Sequence, residues 1–146
     1  MSSITFILDI SPQSKQSVSF GKGHAYTNSK KKKYQNDLIT LIKLQKPSGF
    51  KTFTKPVKVD RLRYYFEPTK TMLKNKKIKG KLDLDLPVYH IVRPDMIDNL
   101  KKALFDALTI AGILKDDSIV CWEDNVKKLY RYKSGIEIEL SEIEEI

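Results

Sequence analysis

The chain has 146 residues, 40% of them hydrophobic and 31% charged, which suits one compact soluble domain; no apolar run approaches the ~18–20 residues a membrane span requires. A single cysteine, Cys121, excludes an intrachain disulfide, argues against a cysteine-based zinc site and points to a reducing, intracellular compartment. Lys and Arg outnumber Asp and Glu by 27 to 18, a net charge of +9, which favours a polyanionic partner, nucleic acid ahead of an anionic membrane surface.

Residues 4–10 alternate and are rich in β-branched and apolar types, so they predict a first strand rather than a signal peptide, no basic segment preceding them. Residues 11–29 carry Ser, Pro, Gly, Gln and Asn and read as a long loop. A helix is expected from about Lys30 to Gln45, capped by Ser29, because Tyr34, Leu38, Leu41 and Leu44 recur at helical spacing; Pro47-Ser48-Gly49 ends it. A strand follows over 57–66, from Val57-Lys58-Val59 to Tyr64-Tyr65-Phe66. The basic stretch 67–86, with Lys70, Lys74, Lys76, Lys77, Lys79 and Lys81, reads as an exposed loop or hairpin, and Pro87 to Val92 as another strand. From Asp98 to Ala111 the positions Leu100, Ala103, Leu104, Ala107, Leu108 and Ala111 form one apolar stripe, with Gly112 where a helix C-cap belongs. Two strands are expected at 118–131 and 135–141, and the Glu-rich end, 142–146, as a frayed tail. The sum is an α+β fold: a single small domain over 1–146 with a mixed or antiparallel sheet and two main helices.

Asp95, Asp98, Asp116 and Asp117 bracket the striped helix. At about 100° per residue, Asp98, Lys102 and Asp106 lie within about 80° of one another, roughly opposite the stripe, so they face outward when the stripe packs on a sheet. Carboxylate oxygens are hard ligands suited to Mg²⁺ or Mn²⁺, and a lysine beside them offsets charge on an attacked phosphate. That donor set fits phosphodiester hydrolysis. The plainer alternative makes Asp98 a helix N-cap, Lys102 its i+4 partner and Asp116-Asp117 a surface turn.

The string Arg93-Pro94-Asp95-Met96-Ile97-Asp98-Asn99-Leu100-Lys101-Lys102, continued by Asp106-Ala107-Leu108 and Asp116-Asp117, resembles the signature of the RusA-type Holliday-junction resolvases. Phe20-Gly21-Lys22-Gly23-His24-Ala25-Tyr26-Thr27 is similar to that family's early loop. The resemblance implies a homodimer that binds branched DNA at four-way junctions and nicks paired strands with Mg²⁺ or Mn²⁺, leaving 5′-phosphate and 3′-hydroxyl ends. It implies Asp95, Asp98 and Asp117 as metal ligands, Asp116 as a lesser one, and Lys102 as the group assisting at the phosphate. It also implies a bacterial or phage-encoded protein acting in the cytoplasm. One departure stands out: the family sets its first aspartate two residues before the second, whereas Asp95 lies three before Asp98. The extra residue either forms a bulge that keeps Asp95 aimed inward or swings it out. Two further readings therefore stay open, a non-catalytic branched-DNA-binding protein and a nuclease for flaps or forks.

Lys22, Lys30, Lys31, Lys32, Lys33, Arg93 and Lys101 are candidates for contacts to DNA phosphates, as are the lysines of 70–81, against the alternative of a solvated face. Asp83-Leu84-Asp85 has the family's aspartate spacing but lacks the Asn and the downstream Lys, and reads as part of the loop or its closing strand. Gly21-Lys22-Gly23 is not a Walker loop, and His24 and His90 are too isolated for a zinc site. Trp122 is expected in the core, and Phe105, off the main stripe, at an interface.

Overall fold

A computed structural model describes residues 2–13, 19–21, 24–26, 29–94 and 100–144, with side chains from 19 to 31 excepted. Its frame is one mixed sheet. Strand β1 (Ser3–Leu8) lies at one edge, antiparallel to β7 (Gly135–Glu142), which is antiparallel to β4 (Val57–Phe66). The far edge of β4 pairs in parallel with two consecutive strands, β5 (Val120–Glu123) and β6 (Val126–Tyr130). Two main helices cover one face, α1 (Ser29–Gln45) and α4 (Lys101–Ile110), so the architecture is a small single α+β domain.

Alternation sets which face is buried. Ile4, Phe6 and Leu8 point inward from β1, and Ile136, Ile138 and Leu140 from β7. In β4 the inward parity changes from Val57 and Val59 to Leu62 and Tyr64, because the register with β7 shifts between Val59 and Arg61. An extra residue in one strand does this: it flips every later side chain to the other face. Against this face α4 lays Leu100, Ala103, Leu104, Ala107, Leu108 and Ala111, all at most 2% exposed. From α1 the inward line is Tyr34, Leu38 and Ile42; Leu44, expected on that line, is exposed. Burial pushes the Tyr34 hydroxyl up to about 12, against a smaller opposing effect of a hydrogen bond with the Gln13 backbone. The edge strand β1 is covered by Gln45, whose amide accepts from the Ile7 N–H at 3.0 Å and donates to its carbonyl at 2.7 Å.

Several expectations need correction. The 67–86 stretch is neither loop nor hairpin: α2 (Lys70–Lys74) and α3 (Lys76–Asp83) occupy most of it. Thr69 accepts from the Met72 N–H to start α2, and the Asn75 side chain accepts from the N–H groups of Lys77 and Ile78 to start α3. The strand expected over Pro87–Val92 is reduced to a single bridge, Tyr89 to Leu129. The 118–131 strand begins with a 3-10 turn, Asp117–Ile119, and breaks at Asp124-Asn125, where Asn125 takes φ +53°, a conformation asparagine tolerates. Within the expected loop 11–29, β2 (Ser19–Gly21) pairs with β3 (His24–Tyr26). The tail does not fray at its start: Glu142 closes β7 and accepts from the Thr54 and Lys55 N–H groups, and the Ile143 N–H donates to Pro56. Residues 145–146 lie outside the described ones.

Candidate active site

The chain on both sides of the Asp95–Asp98 motif is held at the β5–β6 edge. The segment ahead of it runs antiparallel to β6: the Tyr130 N–H donates to Val88 at 2.8 Å and the His90 N–H to Lys128 at 3.1 Å. From β6 the Lys128 ammonium then reaches over and donates to the carbonyls of Val92 and Pro94, each at 2.9 Å. Two residues of the chain are thus gripped immediately before Asp95. Beyond the motif, Lys101 in the first turn of α4 pairs with Glu123 at the end of β5, at 2.5 Å. Entry and exit of the motif are therefore both tied to the β5–β6 edge.

The return from α4 brings the second acidic pair to the start of β5. Gly112, at φ +82°, closes the helix; an added Cβ would lie 3.3 Å from Lys46 Nζ. Lys46 donates to Ala111 and Thr52 to Gly112, and the next residues align in parallel with the 52–54 segment through the Phe53–Leu114 bridge. Asp116 then caps the 3-10 turn. Its carboxylate accepts from the Ser118 hydroxyl and backbone N–H, and these bonds hold it below the usual carboxylate range. Asp117 stands exposed in the first position of the turn.

The predicted site residues are thus divided. Asp95 and Asp98 lie outside the described residues, as do Lys22 and the side chains of Lys30 and Lys31. Lys102 is exposed on α4 and makes no ion pair with a described carboxylate, with Asp106 half-buried one turn on. Arg93 and Lys32 are exposed. Lys33 pairs with Asp37 at 2.8 Å, and Lys101 with Glu123, so each of these two candidate DNA contacts already has an anion. Asp83 anchors α3, accepting from Tyr132 and pairing with Lys79, and Asp85 turns the chain at φ +55°. Phe105 is 9% exposed and belongs to the core, and Trp122 is half-exposed on β5 beneath the Lys58 ammonium, the reverse of both expectations.

The sequence does not single out Lys128, Glu123, Lys58 or Arg63. Lys58 bridges Asp60 and Asp124 at 3.7 and 3.2 Å, and Arg63 donates to the carbonyl and side-chain oxygens of Asn125. Together they pin the Asp124-Asn125 break. The residue types alone give no hint of partners that distant. His90 is buried, stacked on Phe66 at 3.8 Å; burial first, then the Lys128 charge, lowers its pKa below the ordinary value.

Among the described residues no three His, Cys, Asp or Glu side chains gather as a metal centre. The donors named for a cation are all aspartates, hard oxygen ligands that fit Mg²⁺ or Mn²⁺. Asp116 commits its carboxylate to Ser118, so Asp117 is the better of the two.

A basic α+β domain with exposed aspartates at the start of β5 suits a nucleic-acid partner. The sequence model described as Endodeoxyribonuclease RusA matches residues 9–141, and the chain belongs to this family of endodeoxyribonucleases. No individual curated protein matches the chain. Among the described residues no helix is long and apolar enough to cross a membrane.

Proposed function

We propose that the chain is a metal-dependent endodeoxyribonuclease that resolves four-way DNA junctions by paired nicks. The family match carries this reading: it spans residues 9–141 and takes in the whole acidic motif, Asp95 to Asp117. Asp95, Asp98 and Asp117 would hold Mg²⁺ or Mn²⁺, with Asp116 a lesser ligand. Such an ion supplies a water of lowered pKa and neutralises charge at the leaving oxygen. Attack of water on phosphorus with loss of the 3′ oxygen leaves a 5′-phosphate and a 3′-hydroxyl. Lys102 offsets the negative charge growing on the attacked phosphate. Lys128 and the Lys101–Glu123 pair hold the two ends of the motif.

Paired nicks call for two copies of the site, and the homodimer reading draws support from an apolar run left in solvent: Leu84, Leu86, Tyr89, Ile91 and Val92. The test is a labelled four-way junction incubated with Mg²⁺, Mn²⁺ or EDTA, beside matched linear duplex, a flap and a fork. The expected result is symmetric, metal-dependent nicking of the junction, reduced about 10²–10³-fold or more in Asp98→Asn. Tight junction binding with no cleavage in either metal would instead establish the binding-only reading and implicate the extra residue between Asp95 and Asp98. Preferential cleavage of the flap or fork would move the substrate, not the chemistry.

A further inference from the structure

The α2–α3 arm carries six lysines, Lys70, Lys74, Lys76, Lys77, Lys79 and Lys81, against one aspartate, Asp83. Only Lys79 is paired with that aspartate, at 3.2 Å; Lys76, Lys77 and Lys81 are exposed and pair with no carboxylate among the described residues. The arm is thinly attached: Leu82 is the one buried side chain of α3, α2 has none, and Tyr132 holds Asp83.

At about 100° per residue, Lys76, Gly80, Lys77 and Lys81 fall in that order within about 140° of arc, while Ile78 and Leu82 point the opposite way, toward the protein. The outer face is therefore a lysine cluster with a glycine inside it. Two features of α3 work against the helix itself. Glycine is the poorest helix former after proline, and here φ is not positive and an added Cβ would meet nothing within 4 Å. Lysines in the first turn, with no acidic residue there, oppose the helix dipole. Neither serves the fold, and local choices that disfavour their own element mark functional surfaces.

We propose that the Lys76, Lys77, Gly80 and Lys81 face of α3 is a docking surface for the sugar–phosphate backbone of a DNA duplex arm. Gly80 lets the backbone approach the helix closely, and the three ammonium groups meet its phosphates. An eight-residue helix is about 12 Å long, which spans several phosphates at a rise of about 3.4 Å each. The segment leaving α3 runs along β6 and is held there by Lys128 just ahead of the acidic motif, so a duplex docked here lies on the part of the chain that leads to it. The choice of DNA as occupant rests on the nuclease reading; the surface itself rests on charge and on the unfilled glycine.

Binding is measured on the full chain by fluorescence anisotropy in EDTA, with a labelled linear duplex and a labelled four-way junction over a salt series. Lys76→Gln, Lys77→Gln and Lys81→Gln together are expected to lower the slope of log affinity against log salt by about 2–3, roughly 0.9 per lysine, and to weaken binding about tenfold or more near physiological salt. The corresponding triple arginine variant keeps the slope. Gly80→Leu, placed in open space, is expected to keep the thermal midpoint and yet weaken binding severalfold. A wild-type slope in the glutamine variant, or wild-type affinity in Gly80→Leu, overturns the proposal. Because no metal is needed, these outcomes are read separately from nicking: wild-type protein that binds through α3 but never nicks overturns the nuclease reading alone.

Discussion

Two helices of this molecule, α4 and α3, are held in opposite ways. In α4, five of ten side chains are buried, and the helix packs on the sheet beside α1. In α3, one of eight is buried, and the shape comes from the Asn75 cap and the Tyr132–Asp83 contact. The helix that follows the Asp95–Asp98 stretch is thus fixed by the core. Charge that only has to meet a polyanion is carried on an element that its own caps define, since phosphate contacts tolerate small displacements.

Core packing on α4 gives the largest expected difference. Leu104→Ala should cost about 2–5 kcal/mol of global stability in a denaturant titration, because Leu104 is fully buried and its loss leaves a cavity in the core. Leu73→Ala, on the half-exposed α2, should stay within about 0.5 kcal/mol. Equal losses at both sites would show that the arm belongs to the same cooperative core. A smaller effect is expected at the clasp. Lys128→Met strips the donors from Val92 and Pro94, and should reduce nicking about 10–100-fold while junction binding in EDTA persists. Unchanged nicking would mean that the segment ahead of Asp95 needs no clasp.

The sequence reads the rigid region better than the arm, for a physical reason. The stripe Leu100 to Ala111 and the alternation of β7 are strong periodic signals because a large buried face enforces them. In α2 and α3 the apolar positions are few and the pieces are five and eight residues long, so lysines dominate and the helical period is hidden; Thr69 and Asn75 are the local signals that remain. Trp122 and Phe105 reverse their expected places because hydrophobicity alone does not say which side of a strand or helix meets solvent. Of the acidic motif, which the sequence displays openly, Asp95 and Asp98 lie outside the described residues; the clasp around it leaves no such mark in the sequence. Lys128 bonds main-chain carbonyls 36 and 34 residues away, and main-chain partners leave no mark in side-chain pattern.

The pH response sharpens the contrast further. His90 lies in the segment ahead of the motif, packed between Phe66 and Tyr130 and faced by Lys128, and its folded-state pKa is below the ordinary 6.5. The unfolded chain therefore binds a proton here first. The contribution is fully present above pH ~6.5 and is lost as pH falls through that value toward the depressed one. The thermal midpoint should drop on acidification from about pH 7.5 to 5.5, and drop less in His90→Phe, which keeps the stack. Parallel pH profiles for the two proteins would assign the acid response to other groups.

The smallest effect should come from the arm. Asn75 serves both short helices: its backbone N–H donates to the Met72 carbonyl, closing α2, while its side chain accepts from the N–H groups of Lys77 and Ile78 in the first turn of α3. Asn75→Ala removes the side-chain half, worth about 1 kcal/mol. Since α3 buries one side chain, that energy falls on local opening of the arm and hardly reaches global unfolding. Amide exchange over 76–83 should therefore quicken roughly fivefold, while exchange within α4 and the thermal midpoint stay as in the wild type. If α4 amides quicken by the same factor, the two helices open together, and the division between a core-held helix and a cap-held basic arm does not hold.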